Sequence, residues 1–105
     1  MIVDVVGLKA VNERDGFLAG DRLLRAAADR LRAAATRAAF LARLGGDELV
    51  AVYLGPMAGE SARDTADALA APAALPDLRA AALTAASGEN AAKLVERLYA
   101  TLRRS

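Results

Sequence analysis

Three carboxylates stand where they could meet. Asp4 interrupts a β-branched run over residues 2–6, and Asp47 and Glu48 follow two glycines between two short apolar runs. An acid in the middle of a buried strand is costly unless a partner or a metal offsets its charge. Glycines and an aspartate between apolar runs signal a hairpin tip. Neighbouring strands lie about 4.8 Å apart, so pairing the first strand beside the hairpin brings the acids together. Converging carboxylates raise one another's pKa unless a cation sits between them. The sequence contains no Cys and no His, which excludes disulfides, Cys/His zinc sites and histidine acid–base chemistry. Any metal would take oxygen ligands, which points to Mg²⁺, Mn²⁺ or Ca²⁺. Mg²⁺ usually takes one or two carboxylates plus waters and substrate phosphates, so the pattern points to a phosphate substrate. The plainer alternative makes Asp47 and Glu48 turn residues and pairs Asp4 with an arginine.

The elements that position these acids are short. The chain has 105 residues, 55% apolar and 26% charged, the balance of one globular domain spanning residues 1–105. Much of the apolar share is alanine, so the core is expected to be thin. A net charge of +1 gives no global field favouring nucleic acid or membrane. No stretch approaches the ~20 apolar residues of a membrane span, and the N-terminus lacks a signal-peptide pattern. A cytoplasmic location, with neither nucleic acid nor membrane as partner, is the expectation.

Residues 2–6 read as a buried strand ended by Gly7. Residues 8–15 read as two helical turns closed by Gly16. Ala19-Gly20-Asp21 opens a long helix through about residue 36, with Leu23, Leu24, Ala27, Leu31 and Ala34 at helical spacing. Asp21 is expected in its first turn, paired with Arg25. Residues 39–44 and 49–54 read as the hairpin strands. Residues 60–70 read as a helix stopped by Pro72 and Pro76. Residues 78–86 fit a helix by composition and a strand by length and position. Asn90 caps a last helix through Leu102, with Leu94, Leu98 and Leu102 on one face. The order is β-α-α-β-β-α-β-α, an α+β layout.

Gly45-Gly46-Asp47-Glu48-Leu49 resembles the GGDEF signature of diguanylate cyclases, with Leu49 where that family usually has Phe. Upstream, the family pattern D-x-D-x-F-K-x-x-N-D-x-x-G-H-x-x-G-D is matched without a gap at seven positions, Asp4, Lys9, Asn12, Glu13, Gly16, Gly20 and Asp21, with Val6, Leu8 and Phe17 at three others. Arg43, just before Leu44-Gly45-Gly46, resembles the family's R-Y-G-G. The resemblance is sharp over residues 2–54 and loose beyond. It implies a palm-like nucleotidyl cyclase fold with a mostly antiparallel central sheet flanked by helices. It also implies that Asp4, the carbonyl of Val5 and Asp47 bind Mg²⁺ or Mn²⁺, with Glu48 both a metal ligand and the activator of an attacking 3′-hydroxyl. Either Asp47 or Glu48 serves as the base. Asn12 and Asp21 match the pair that recognises guanine, and the backbone from Gly7 through Leu8 to Lys9 matches the turn that cradles phosphates, a good anion site at a helix start. The implied chemistry condenses two GTP to cyclic di-GMP in a homodimer that supplies proximity and orientation.

The sequence also departs from that pattern. Val6 replaces the second strand acid, Leu8 an aromatic and Phe17 a histidine. In the last helix Leu98-Tyr99 matches the family's L-Y, but Leu102 falls where a phosphate-binding lysine is expected, with Arg103 and Arg104 beside it; these arginines read either as its replacement or as solvated terminal charges. Thr36 and Ala39 occupy the positions of an inhibitory R-x-x-D site, so product inhibition through that site is not expected. The family's N-terminal D-x-L-T-x-L-x-N-R segment has no counterpart, and residues 80–85 are mostly alanine where the family has an S-I-G-V-A strand. Two other functions fit these departures. One is a degenerate domain that binds GTP or a protein partner without catalysis. The other is a minimal CRISPR-type palm cyclase making another cyclic nucleotide, although Asn12 and Asp21 favour guanine over adenine. Tyr53 and Tyr99 read as core or interface fillers, Gly16 and Gly20 as helix punctuation, and the arginines between Arg22 and Arg43 as a solvated helix face.

Overall fold

Strand β1 (Ile2–Val5) lies inside a four-stranded antiparallel sheet of order β2-β3-β1-β4, with β2 at Phe40–Arg43, β3 at Glu48–Val52 and β4 at Leu78–Ala81. Helices α1 (Leu8–Asp15), α2 (Phe17–Ala34), α3 (Ala58–Ala70) and α4 (Ala91–Arg103) complete the α+β fold. These observations come from a computed structural model that describes residues 1–70 and 78–103. Pro72 and Pro76, read as helix stops, and Arg104 lie outside the described residues.

The alternation of side chains along β1 sorts the core into two layers. Val3 and Val5 face α2 and α3, where they pack with Leu8, Ala27, Leu31, Leu49 and Leu69. Ile2 faces the other way and packs with Ala81, Leu98 and Leu102 under α4. Asp4 shares the Ile2 face by the same period of two. Helix α4 is held at its start by Asn90, whose Oδ1 accepts the backbone N–H of Lys93 at 2.9 Å, as a helix cap should. Leu94, Leu98 and Leu102 then lie one turn apart against the sheet.

Several boundaries differ from the sequence reading, each for a local reason. Strand β1 stops at Val5, because Gly7 takes φ 80 and turns the chain into α1. Helix α2 starts at Phe17, because Gly16 at φ 88 breaks the chain there, a conformation that favours glycine. Asp21 is consequently past the first turn, and its charge is met by Arg25 at 3.1 Å, not by the helix dipole. Gly20 is no punctuation: it is buried inside α2. Of residues 78–86, only Leu78–Ala81 form a strand, where pairing with β1 is available and Leu78 and Ala81 are buried.

Candidate active site

The β1 register builds one row of side chains across three strands. Asp4 lies opposite Glu48 of β3 and opposite Arg79 of β4, so all three share the α4 face of the sheet. Arg79 donates from one guanidinium nitrogen to Asp4 Oδ2 at 2.5 Å. The Asp4 side chain is only 14% exposed, so this ion pair is what meets its charge. The arginine partner was one of two readings open from sequence.

The signature turn is tied down at both ends. The Val5 N–H donates to the Asp47 carbonyl at 2.9 Å, and the Leu44 N–H donates to the Glu48 carbonyl at 2.9 Å. Arg43 folds its guanidinium over the turn and donates to the carbonyls of Gly45 (3.0 Å) and Gly46 (2.7 Å). A Cβ on Gly45 would lie 2.4 Å from Glu48 Oε1, so the missing side chain there leaves room for the Glu48 carboxylate.

The two signature acids are held differently. Burial pushes the Asp47 carboxyl above the usual carboxylate range, and the neighbouring Asp4 carboxylate pushes it further. Glu48 instead lies near the Tyr99 hydroxyl of α4, and this neighbouring carboxylate pushes the phenol above its ordinary value. Tyr99 is thus more than the packing residue read from sequence; its partial packing against Ile2 and Leu98 positions a hydroxyl over Glu48.

The consequence for stability follows from proton binding. A carboxyl with a raised folded-state pKa binds its proton more tightly in the fold than in the unfolded chain, so stability falls as pH rises from about 4 through the raised value. Asp47→Asn should therefore raise the melting temperature in EDTA at pH 7 by a few degrees, with the gain shrinking toward pH 4 as Asp47 becomes protonated in the parent protein. Thermal melts at the two pH values check this.

A divalent cation fits part of this donor set. Asp4 and Asp47 are two crowded carboxylates whose mutual repulsion a cation would relieve, and one or two carboxylates are the usual protein share of a Mg²⁺ site. Among the described residues no cage of three or more acids is assembled. Glu48 is turned toward Tyr99, and the Val5 carbonyl follows Asp4 on the backbone.

The remaining candidates lie at α1 and α2. Gly7 precedes α1 in the left-handed region, no acid lies in the first turn of α1, and no side chain caps it. The amides of Leu8 and Lys9 therefore open a helix with no internal partner. Lys9 is exposed and Leu8 is buried in the core. Asn12 lies directly over Gly20, where a Cβ would fall 1.6 Å from its Oδ1. Asp21, the next residue, lines a groove of about 300 Å³ with Leu24, Arg25, Leu41, Arg43 and Leu49, between α2 and the β2–β3 hairpin. Asn12 is not among the groove's lining residues. Leu102 is 4% exposed in the α4 cluster, and Arg103 ends the helix exposed. Sequence reasoning missed Arg79 and the role of Tyr99. The match of Leu98-Tyr99 to the family's L-Y was the available signal for Tyr99, and the demand of Asp4 for a cation was the signal for Arg79.

Comparison with known proteins gives a consistent picture. Residues 1–82 match the family model described as diguanylate cyclase, GGDEF domain. An uncharacterized signaling protein of Caulobacter vibrioides is 40% identical over 75 residues, 67% of this chain and 9% of that protein. An uncharacterized protein of Mycobacterium tuberculosis is 36% identical over 69 residues, 66% of this chain and 11% of that protein. The chain thus spans about a tenth of the length of the curated relatives it matches. Among solved structures, a sensory box/GGDEF family protein from Caulobacter crescentus has a TM-score of 0.65 at 31% identity, covering 98% of this chain and 74% of the other. An EAL/GGDEF domain protein from M. capsulatus has a TM-score of 0.52 at 36% identity, covering 68% and 48%.

Proposed function

The chain belongs to the diguanylate cyclase GGDEF family, and on that premise we propose that it condenses two GTP molecules to cyclic di-GMP with Mg²⁺ or Mn²⁺, as a homodimer in the cytoplasm. The observation that supports this reading most is the register that sets Asp4 opposite Glu48, with the Asp47 carbonyl bound to the Val5 N–H beside them. Asp4, the Val5 carbonyl, Asp47 and Glu48 are the groups that would hold the cation. The cation, when bound, lowers the pKa of the 3′-hydroxyl and offsets charge growing on the α-phosphate.

The chain's own groups do the rest. Glu48 accepts the proton of the 3′-hydroxyl as its oxygen bonds to the α-phosphorus and the bond to pyrophosphate breaks. Glu48 suits this role better than Asp47, which is engaged with Asp4. The amides of Gly7, Leu8 and Lys9, with the Lys9 ammonium, receive the phosphates. Asn12 and Asp21 read guanine, whose N1–H and exocyclic amine donate to oxygens where adenine has no equivalent pattern. Each subunit presents one GTP, and facing subunits bring hydroxyl and phosphate together. No helix among the described residues is long and apolar enough to cross a membrane.

Gly20 gives this assignment a test of its own. Gly20→Ala adds a methyl where the Asn12 amide now lies, while alanine favours the helix by about 1 kcal/mol over glycine. GTP affinity should fall roughly tenfold, the loss of one good hydrogen bond, with the melting temperature unchanged or raised. Calorimetric titration and a thermal melt on the same sample check both.

The burial of Leu102, where a phosphate-binding lysine was expected, favours a second reading: a domain that binds GTP without turning it over. Titrating GTP and ATP into the protein in Ca²⁺, which supports binding without fast chemistry, tests what the two readings share. Saturable binding of GTP with weaker ATP supports the nucleotide site; equal or absent binding of both removes the guanine assignment of Asn12 and Asp21.

A further inference from the structure

Arg79 is used by nothing in the scheme above, yet it lies in the Arg79–Asp4–Glu48 row. β4 places its side chain on the same face as both acids, one strand from Asp4 and two from Glu48. A single nitrogen engages Asp4, and 44% of the side chain is exposed. The rest of the planar fork is therefore open to solvent, and such a fork binds phosphate oxygens in pairs.

On α4 the position of the expected lysine and the cation one turn before it are both committed. Leu102 is committed to the apolar cluster, and Arg97 is paired with Glu89 at 2.6 Å. Charge balance then gives Arg79 two uses. Before a divalent cation binds, Asp4 lies beside Asp47, and the guanidinium is the counter-charge on Asp4. A cation on Asp4 and Asp47 takes over that neutralisation and repels the guanidinium. A triphosphate bound to the same cation provides the nearest new anion.

We propose that Arg79 is a two-position cation, which holds Asp4 before the divalent cation binds and then moves its guanidinium onto the distal phosphates of the nucleotide. Arg79 thereby supplies from β4 the phosphate contact that Leu102 does not supply from α4. The inference rests on the GTP-and-metal reading of the site.

The test compares Arg79→Ala and Arg79→Lys with the parent protein. Mn²⁺ binding is followed by electron paramagnetic resonance without nucleotide, and GTP and GMP are titrated calorimetrically in Ca²⁺. Arg79→Ala should tighten Mn²⁺ roughly three- to tenfold, because a competing cation is gone. It should weaken GTP about 10- to 50-fold, as loss of a charge-assisted contact does, and leave GMP within about twofold because the distal phosphates are missing. Arg79→Lys, which keeps charge but not the fork, should fall between for GTP. Unchanged Mn²⁺ affinity with an unchanged GTP-to-GMP ratio overturns the inference. Weaker Mn²⁺ binding in Arg79→Ala also overturns it, since Arg79 would then only brace Asp4. If the parent protein binds neither Mn²⁺ nor GTP, the functional reading fails along with it. If the parent binds both and the variants match it, Arg79 alone is wrongly assigned.

Discussion

Glu48→Gln should cut formation of cyclic di-GMP by about 10³-fold, within the 10²–10⁴ usually contributed by a positioned general base. GTP affinity should stay within about threefold, because the substitution removes a charge without removing a hydrogen-bond acceptor. A glutamine of the same length still lies near the Tyr99 hydroxyl, and the space left by Gly45 still admits it. Quenched time courses resolved by chromatography give turnover, and titration in Ca²⁺ gives affinity. A turnover loss with intact binding identifies the proton acceptor. A parallel collapse of binding would instead make Glu48 chiefly a metal ligand.

Leu102→Lys should unfold much of the protein at temperatures where the parent is native. Family resemblance alone would count it as a repair, because a lysine is expected at this position for phosphate. The packing says otherwise: Leu102 is buried with Ile2, Ala81 and Leu98. An ammonium placed there loses its water and finds no partner. The expected loss is about 3 kcal/mol or more, taken from the ~5–15 kcal/mol that stabilises a typical domain. For a domain near 100 residues each kcal/mol shifts the melting temperature about 4–8 °C, so a drop above ~12 °C is expected. Denaturant titration checks the free energy directly. A variant that melted like the parent and bound GTP more tightly would show that α4 can rotate residue 102 toward the phosphates.

The legible parts of the fold were those with local signals. Ile2, Val3 and Val5 are β-branched and flank Asp4, so a buried strand and its one odd residue could be read together. The glycines of the signature and the apolar runs beside them specified the hairpin. Asn90 announced α4, and its leucines announced the buried face. What failed was set by tertiary context. The start of α2 depends on the positive φ of Gly16, which composition does not distinguish from a helix end at that residue. Residues 78–86 are alanine-rich and favour a helix by propensity, but pairing with β1 overrides it over Leu78–Ala81. Gly20 looked like punctuation because its function is to leave room for Asn12, on another helix.

The site was legible to the same degree. Asp4, Asp47 and Glu48 could be brought together by assuming that β1 pairs beside the hairpin, which it does. That Asp47 lies beside Asp4 while Glu48 lies near Tyr99 required the three-dimensional arrangement. Arg79 is 75 residues from Asp4 along the chain, and nothing periodic marks it at the edge of an alanine run. Only the β1–β4 register makes it a neighbour. The Tyr99 hydroxyl reaches Glu48 because α4 packs across the sheet, a placement that an L-Y match hints at and does not fix.

Incubation of the protein with Mg²⁺ and GTP, or with ATP, followed by mass spectrometry of the products, tests the central claim most directly. The account predicts a product with the mass of cyclic di-GMP from GTP, none from ATP, and none from GTP with the Glu48→Gln protein. A cyclic product from ATP, or undiminished product from the Glu48→Gln protein, would contradict it.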